Sequence, residues 1–226
     1  MKGGITMLYF SNDRDILKYE QRLFTELYPK GQVLSHGAGG TLSGMTFTKA
    51  GESFVSSQVS AGCVIYLKSA TSAIDAAFEI VSVNSATQLT VSVLRINESD
   101  DAISPKADAA DYAYRIATFS PQANEVLVQL TQYFGIRPGN PDSYYSADDL
   151  LDANVLRQVS VYAVIAAVYA SYSTGADDDD SLWYKSFHYR RLFEKTKDRC
   201  RVDIDFGKDG IKDLSRYASS PKMLRD

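Results

Sequence analysis

Between residues 45 and 118 the hydrophobic period of the chain switches from helical to two, and it switches back afterwards. This switch constrains the fold more than any other feature of the sequence. Val, Ile, Thr and Ser dominate the stretch. Cys63–Leu67 and Ala77–Val83 read as strands. Asn84, Ser85 and Ala86 make a turn. Gln88–Val93 then returns with Leu89, Val91 and Val93 on one face and Thr90 and Ser92 on the other. Tyr112–Ile116 reads as a last strand. The acidic residues between 97 and 111 read as a solvated loop, not as a working carboxylate pair. About five strands of this kind fit a small antiparallel barrel or sandwich.

Helical patterns flank that segment. Ser11, Asn12 and Asp13 can cap a first helix, whose apolar face would run from Ile16 to Leu27 before Pro29 and Gly31 end it. Residues 35–44 are Gly-rich. They lack the Gly-Lys-Ser/Thr ending of a phosphate loop and read as a flexible connection. Ser120-Pro121 opens a helix that Gly135 stops. Ser146 caps a long helix reaching about Ser173, apolar nearly all round from Val159 to Ala170. Asp177 to Asp180 suit the N-terminus of a last helix, Ser181 to about Arg201.

The expected fold class is therefore α+β: a helical bundle interrupted by an inserted small antiparallel β-barrel or sandwich, with an extended C-terminal tail. Residues 1–44 and 119–204 would form the helical core, 45–118 the insertion and 205–226 the tail.

Several function classes lose support. Two cysteines, Cys63 and Cys200, exclude a disulfide framework and favour a reduced, cytosolic origin. His36 and His188 have no Cys partner at metal-ligand spacing, so no metal and no cofactor are expected. The loop starting at Asp205 departs from a calcium-binding EF-hand at its third and twelfth positions, Gly207 and Arg216. No nucleophile elbow or catalytic constellation appears, so no enzyme is expected. Residues 1–10 carry no apolar run of signal-peptide length, and Val159–Ala170 is short for a membrane span.

Charge is split unevenly. Residues 181–226 hold 12 Lys and Arg against 7 Asp and Glu, while the other 180 residues hold 12 against 21. A basic end on an acidic body favours contact with an acidic surface or with phosphates. The tail after Arg201 is polar and has few anchors, so it should order only on a partner. Its candidate docking residues are Lys212, Leu214, Arg216, Tyr217, Lys222, Met223, Leu224 and Arg225.

The C-terminal third resembles the head-to-tail connector (adaptor) proteins of tailed bacteriophages and related gene-transfer particles. The resemblance rests on Val164-Ile-Ala-Ala-Val-Tyr-Ala170 and Asp180-Ser-Leu-Trp-Tyr-Lys-Ser-Phe-His-Tyr-Arg-Arg-Leu-Phe-Glu194. It continues in Arg201-Val-Asp-Ile-Asp205, the Gly/Asp turn 207–210 and the ending Lys222-Met-Leu-Arg225. It covers roughly residues 147–226, and the β insertion departs from the smallest family members. It implies a structural virion protein of the neck, assembled in the host bacterial cytoplasm. Its protomers would form a homo-oligomeric ring, commonly of twelve, beneath the portal protein. The tail would dock into the portal, and the other side would offer an attachment surface to a stopper or tail terminator protein. Genomic DNA would pass through the lumen without sequence-specific binding, and no membrane is implied. A carbohydrate- or cell-surface-binding module, with the β insertion as its working end, is the alternative.

Overall fold

The computed structural model describes residues 9–173 and 181–218. It divides the chain into two compact units, one of residues 12–119 and one of residues 1–11 with 120–226. The β-containing unit thus begins at Asn12, well before residue 45, and takes the N-terminal helical segment with it.

That segment forms two short helices instead of one, α1 (Asp13–Leu17) and α2 (Arg22–Thr25). Asn12 caps α1 in a reciprocal box: its side chain accepts from the Asp15 N–H, and the Asp15 carboxylate accepts from the Asn12 N–H. The predicted apolar face does bury Ile16, Leu17, Leu23 and Phe24. The C-terminal carbonyls of α2 end on a side chain from elsewhere. Arg115 donates to the Phe24 and Thr25 carbonyls, and its guanidinium lies over the Tyr28 ring, 3.4 Å from the centroid.

Six strands follow: β1 (Val33–Ser43), β2 (Thr46–Thr48), β3 (Val64–Ser69), β4 (Ile74–Ser85), β5 (Gln88–Ser92) and β6 (Ala109–Ala117). All pairings are antiparallel. The order β1-β2-β5-β4-β3-β6 closes on itself through β1 and β6, so this is a barrel and not a sandwich. Closure removes the free edges that an open sheet would expose. Leu42, Phe47, Phe54, Ile65, Leu67, Ile80, Leu89, Val91, Tyr112, Tyr114 and Ile116 fill the interior.

The stretch 35–44, read as a flexible connection, lies almost wholly in β1. β1 is Gly-rich because aromatic rings press on its backbone. A Cβ at Gly40 would lie 2.4 Å from Phe47 Cζ, and one at Gly37 would lie 3.1 Å from Tyr114 Cε1. The register with β6 slips between Gly37 and Gly40, where Gly39 takes φ +73°. Glycine in a strand interior marks this kind of bulge and close approach.

Asp13 ties the two ends of the barrel unit together. Its carboxylate accepts from the Phe119 N–H at 2.7 Å, and Thr118 also bonds it. Burial pushes its pKa from 3.8 to about 7, against the pull of those two hydrogen bonds. The folded state therefore holds this proton more tightly than the unfolded chain does. Stability contributed here is full below pH 4, falls as pH rises towards 7, and is flat above that. The gap corresponds to about 4 kcal/mol at most. Asp13→Asn keeps the acceptor for Phe119 and removes the proton. It is expected to flatten urea-unfolding stability between pH 4 and 7 and to exceed wild type at pH 8. An unchanged slope would remove Asp13 as the titrating group.

The second unit carries α3 (Ser120–Tyr133), α4 (Arg157–Tyr172), α5 (Ser181–Lys197) and a hairpin of β7 (Arg201–Ile204) and β8 (Leu214–Tyr217). Gly135, at φ +67°, stops α3. Its N–H bonds the Gln132 carbonyl and the Ile136 N–H bonds that of Thr131, the two bonds of a Schellman cap. The link after it lies down on α3, with the Gly139 N–H donating to Thr131 Oγ1 at 3.0 Å.

The long helix expected from Ser146 is interrupted. Ser146 does cap, in a box with Asp149, but only a 3-10 turn, Ala147–Asp149. A second 3-10 turn, Ala153–Leu156, precedes α4. The hairpin claims the backbone between them. Leu150 bridges Ile204, the Leu151 N–H donates to the Asp203 carbonyl, and the Asp205 N–H donates to that of Asp149.

Small residues let α4 and α5 approach. Ser186 Oγ donates to the Ala166 carbonyl at 3.0 Å, and Tyr189 lies against Tyr162 and Tyr169. Ser11 Oγ meets Ser160 Oγ at 2.8 Å in the interior of this unit. The helical stretch Ala153–Tyr172 has 20 residues, longer than the apolar run Val159–Ala170. By length and composition it is apolar enough to cross a membrane, and most of it is buried inside the fold. A buried core helix has the same length and composition.

Candidate docking surface

The C-terminal hairpin is built on carboxylates that receive backbone N–H groups. Asp205 accepts from Asp209 and Gly210, Asp213 from Phe206 and Gly207, and Asp209 from Ile211. Asp203 accepts from Ser215 Oγ at 2.6 Å and pairs with Arg201. These contacts hold its carboxyl below the usual range. The Asp/Gly run therefore folds a turn with its own side chains.

This corrects the expectation of an extended tail from 205. Residues 201–217 are a hairpin joined to the segment 149–151 by backbone hydrogen bonds. Four of the eight candidate docking residues lie in it. Leu214 and Arg216 stand opposite Ile204 and Val202, while Tyr217 stands opposite Arg201 on the other face. Lys212 is exposed in the turn, and Arg216 and Tyr217 are exposed on β8. Lys222, Met223, Leu224 and Arg225 lie outside the described residues, as does the acidic run Asp177–Asp180. The hairpin also exposes Phe206 and Ile211, with the Phe206 ring 5.9 Å from that of Tyr145. The period-two pattern Val202, Ile204 was the available signal for β7, but it is only two residues long.

The helix before the hairpin is less uniformly basic on its surface than its sequence suggests. Lys197 is buried. Its ammonium sits 4.0 Å from the Tyr133 ring centroid and pairs with Glu194. Burial works against its charge, yet Glu194 and Tyr133 hold its pKa above the ordinary value. Lys197 therefore serves packing, and the exposed cations are Arg190, Arg191, Lys195 and Arg199.

The barrel unit holds a second polar centre. Glu79 is fully buried and accepts from Arg14 Nε through one oxygen and from Arg95 Nε through the other. Arg14 continues to the Arg95 carbonyl and to Glu98, and Arg95 to the carbonyls of Glu98 and Asp100. Arg14, Arg95 and Glu98 line a cleft of about 240 Å³ together with Asn12, Gly62 and Ile80, while Glu79 is buried and holds both guanidinium groups. Both guanidinium groups are engaged by Glu79, and Arg14 also by Glu98. The network pins the acidic loop to the barrel.

Among the described residues no group of three or more His, Cys, Asp or Glu side chains is placed to hold a metal. Burial pushes the Cys63 thiol up to about 11, with the Asp13 carboxylate adding to it, which leaves it a poor nucleophile. No protein-family model matches the chain, and no curated protein or solved structure matches it significantly.

Proposed function

We propose that the chain is a head-to-tail connector of a tailed bacteriophage or related particle, a structural protein without catalytic activity. The observation that carries this reading is the order of elements from Arg157 to Tyr217. A helix apolar nearly all round packs beside a helix with an aromatic and basic outer side, and a D-x-D hairpin follows. This is the pattern on which the family resemblance rests. In this reading α3, α4 and α5 form the bundle core of a protomer. Copies join side by side into a ring, commonly of twelve, beneath the portal.

The hairpin and the segment beyond residue 218 make the docking element. Lys212, Arg216, Lys222 and Arg225 supply charge for encounter with an acidic portal surface. Leu214, Tyr217, Met223 and Leu224 supply apolar anchors that set the lifetime of the complex. The opposite side of the ring receives a stopper or terminator protein. The acidic body suits a lumen through which DNA slides without being held, because like charges repel.

Native mass spectrometry with negative-stain imaging of the full chain tests this. A closed ring with a central opening is expected. A monomer at every concentration, also in the presence of portal, would overturn it. Truncation after Ala218 keeps the hairpin and removes Lys222–Arg225. It is expected to leave ring formation intact and to cut portal capture at least tenfold. Capture at wild-type level would move docking to the hairpin face.

A further inference from the structure

The outer side of α5 carries a stripe that its packing leaves unused. Tyr184, Phe187, His188, Arg191 and Lys195 recur at helical spacing and are all exposed. They lie opposite Ser186, Tyr189, Phe193 and Lys197, which are buried. Tyr184 and Phe187 expose 57% and 54% of their surface. Among the described residues Arg191 and Lys195 join no ion pair.

A loop of the barrel unit has the opposite character. Ile96 and Ile103 expose 84% and 52% of their surface beside Glu98, Asp100 and Asp101. The loop is tied down. Arg95 holds the Glu98 and Asp100 carbonyls, the Asp100 carboxylate accepts from the Asn97 N–H, and the Ile103 N–H donates to Ser92 Oγ. Lys18 donates to the Ile96 carbonyl. A segment fixed in this way has little ordering entropy left to lose when it docks.

We infer that these surfaces are the two halves of one contact between copies of this chain. The aromatic and basic stripe of α5 on one copy seats on residues 96–103 of the next. The inference rests on the ring reading above and names the surfaces that would build it. Each patch pairs large apolar groups with charges of one sign, and the signs are opposite. Arg191 and Lys195 face Glu98, Asp100 and Asp101, while Tyr184 and Phe187 cover Ile96 and Ile103. Charge sets register and encounter rate, and the desolvated apolar centre sets residence time. Two different patches on one chain make a heterologous contact, which propagates head to tail and closes when the rotation permits. A nucleic acid would satisfy the basic stripe alone and would leave the exposed isoleucines of the acidic loop without a role.

Two charge-reversed proteins test this by sedimentation velocity over a range of concentrations. One carries Arg191→Glu and Lys195→Glu. The other carries Ser99→Lys and Asp101→Lys, positions that leave the Asn97–Asp100 turn and the Arg14–Glu98 pair in place. Each is expected to need at least tenfold more protein than wild type to assemble, with unchanged circular dichroism. An equimolar mixture is expected to recover assembly, because reversed stripe then meets reversed loop and native stripe meets native loop. If both variants assemble like wild type, the contact lies elsewhere. The inference then falls while the ring reading stands. If wild type is monomeric throughout and the mixture is too, both fall. If Arg191→Glu with Lys195→Glu leaves assembly unchanged but abolishes binding to a DNA duplex, the stripe belongs to phosphates and the inference is overturned.

Discussion

Glu79→Ala is expected to destabilise the barrel unit by about 3–5 kcal/mol. Glu79 is fully buried and both its oxygens accept from guanidinium groups. Its removal leaves Arg14 and Arg95, 1% and 8% exposed, facing each other with no counter-charge between them. Breaking one member of a buried pair costs more than the pair itself contributes, because an uncompensated charge stays behind. Glu79→Gln keeps the shape and one acceptor, so it should fall between wild type and the alanine variant. The loop should respond too. Arg95 holds the carbonyls of Glu98 and Asp100, and once it reorients, amide exchange at residues 97–103 should accelerate. Urea unfolding followed by hydrogen exchange checks both effects. A loss under about 1 kcal/mol would mean that water reaches the pair and that its charges are already solvated.

The second large effect belongs to Gly139. A Cβ there would lie 2.2 Å from the Val128 carbonyl oxygen and 2.4 Å from the Gln132 nitrogen. Both are backbone atoms of α3, so no rotamer change can relieve the clash. Either the link lifts off the helix or α3 bends. Lifting also forfeits the hydrogen bond from the Gly139 N–H to Thr131, whose side chain is fully buried. Gly139→Ala is expected to cost about 3 kcal/mol or more, read as a lowered thermal midpoint of the helical unit. Gly31→Ala is the control. No atom lies within 4 Å of a Cβ there, so the change should be neutral or slightly stabilising.

The parts of the fold that could be read from sequence were those written in consecutive residues. The Asn12 cap, the Ser120 start, the Gly135 stop and the strand from Gln88 are local signals, and each stands in the structure, although the alternation read over Gln88–Val93 ends at Val91, since Ser92 is buried and Val93 is exposed. The parts that could not be read depend on distant residues. Residues 35–44 look like a linker until Phe47 and Tyr114 are known to occupy the space above their glycines. The break between Ser146 and α4 follows from hairpin strands some fifty residues later in the chain. The helical segment ends at Thr25 where Arg115, ninety residues away, takes its last carbonyls. At the candidate docking surface, sequence located charge but not its exposure. Lys197 looked like part of a basic end and is buried against Tyr133, whereas Arg191 and Lys195, six and two residues earlier, are exposed.

The hydrogen bond that joins Asp13 to Phe119 has a consequence for the order in which the molecule is made. Residues 12–119 form a unit whose first and last residues meet, so it behaves as a cassette that is complete once Phe119 has left the ribosome. Its folding need not await anything downstream. The segment before it is in the opposite position. Ser11 finds its partner Ser160 only after 149 further residues. At ordinary translation rates that takes on the order of ten seconds, long compared with the milliseconds to seconds in which a small β-barrel folds. The barrel should therefore be finished while the chain leading into it is still waiting. Its closed sheet offers no unpaired edge to neighbouring nascent chains in the meantime. The helical unit folds last, and with it the α5 stripe that makes one half of the proposed contact between copies, so assembly cannot begin on an unfinished protomer.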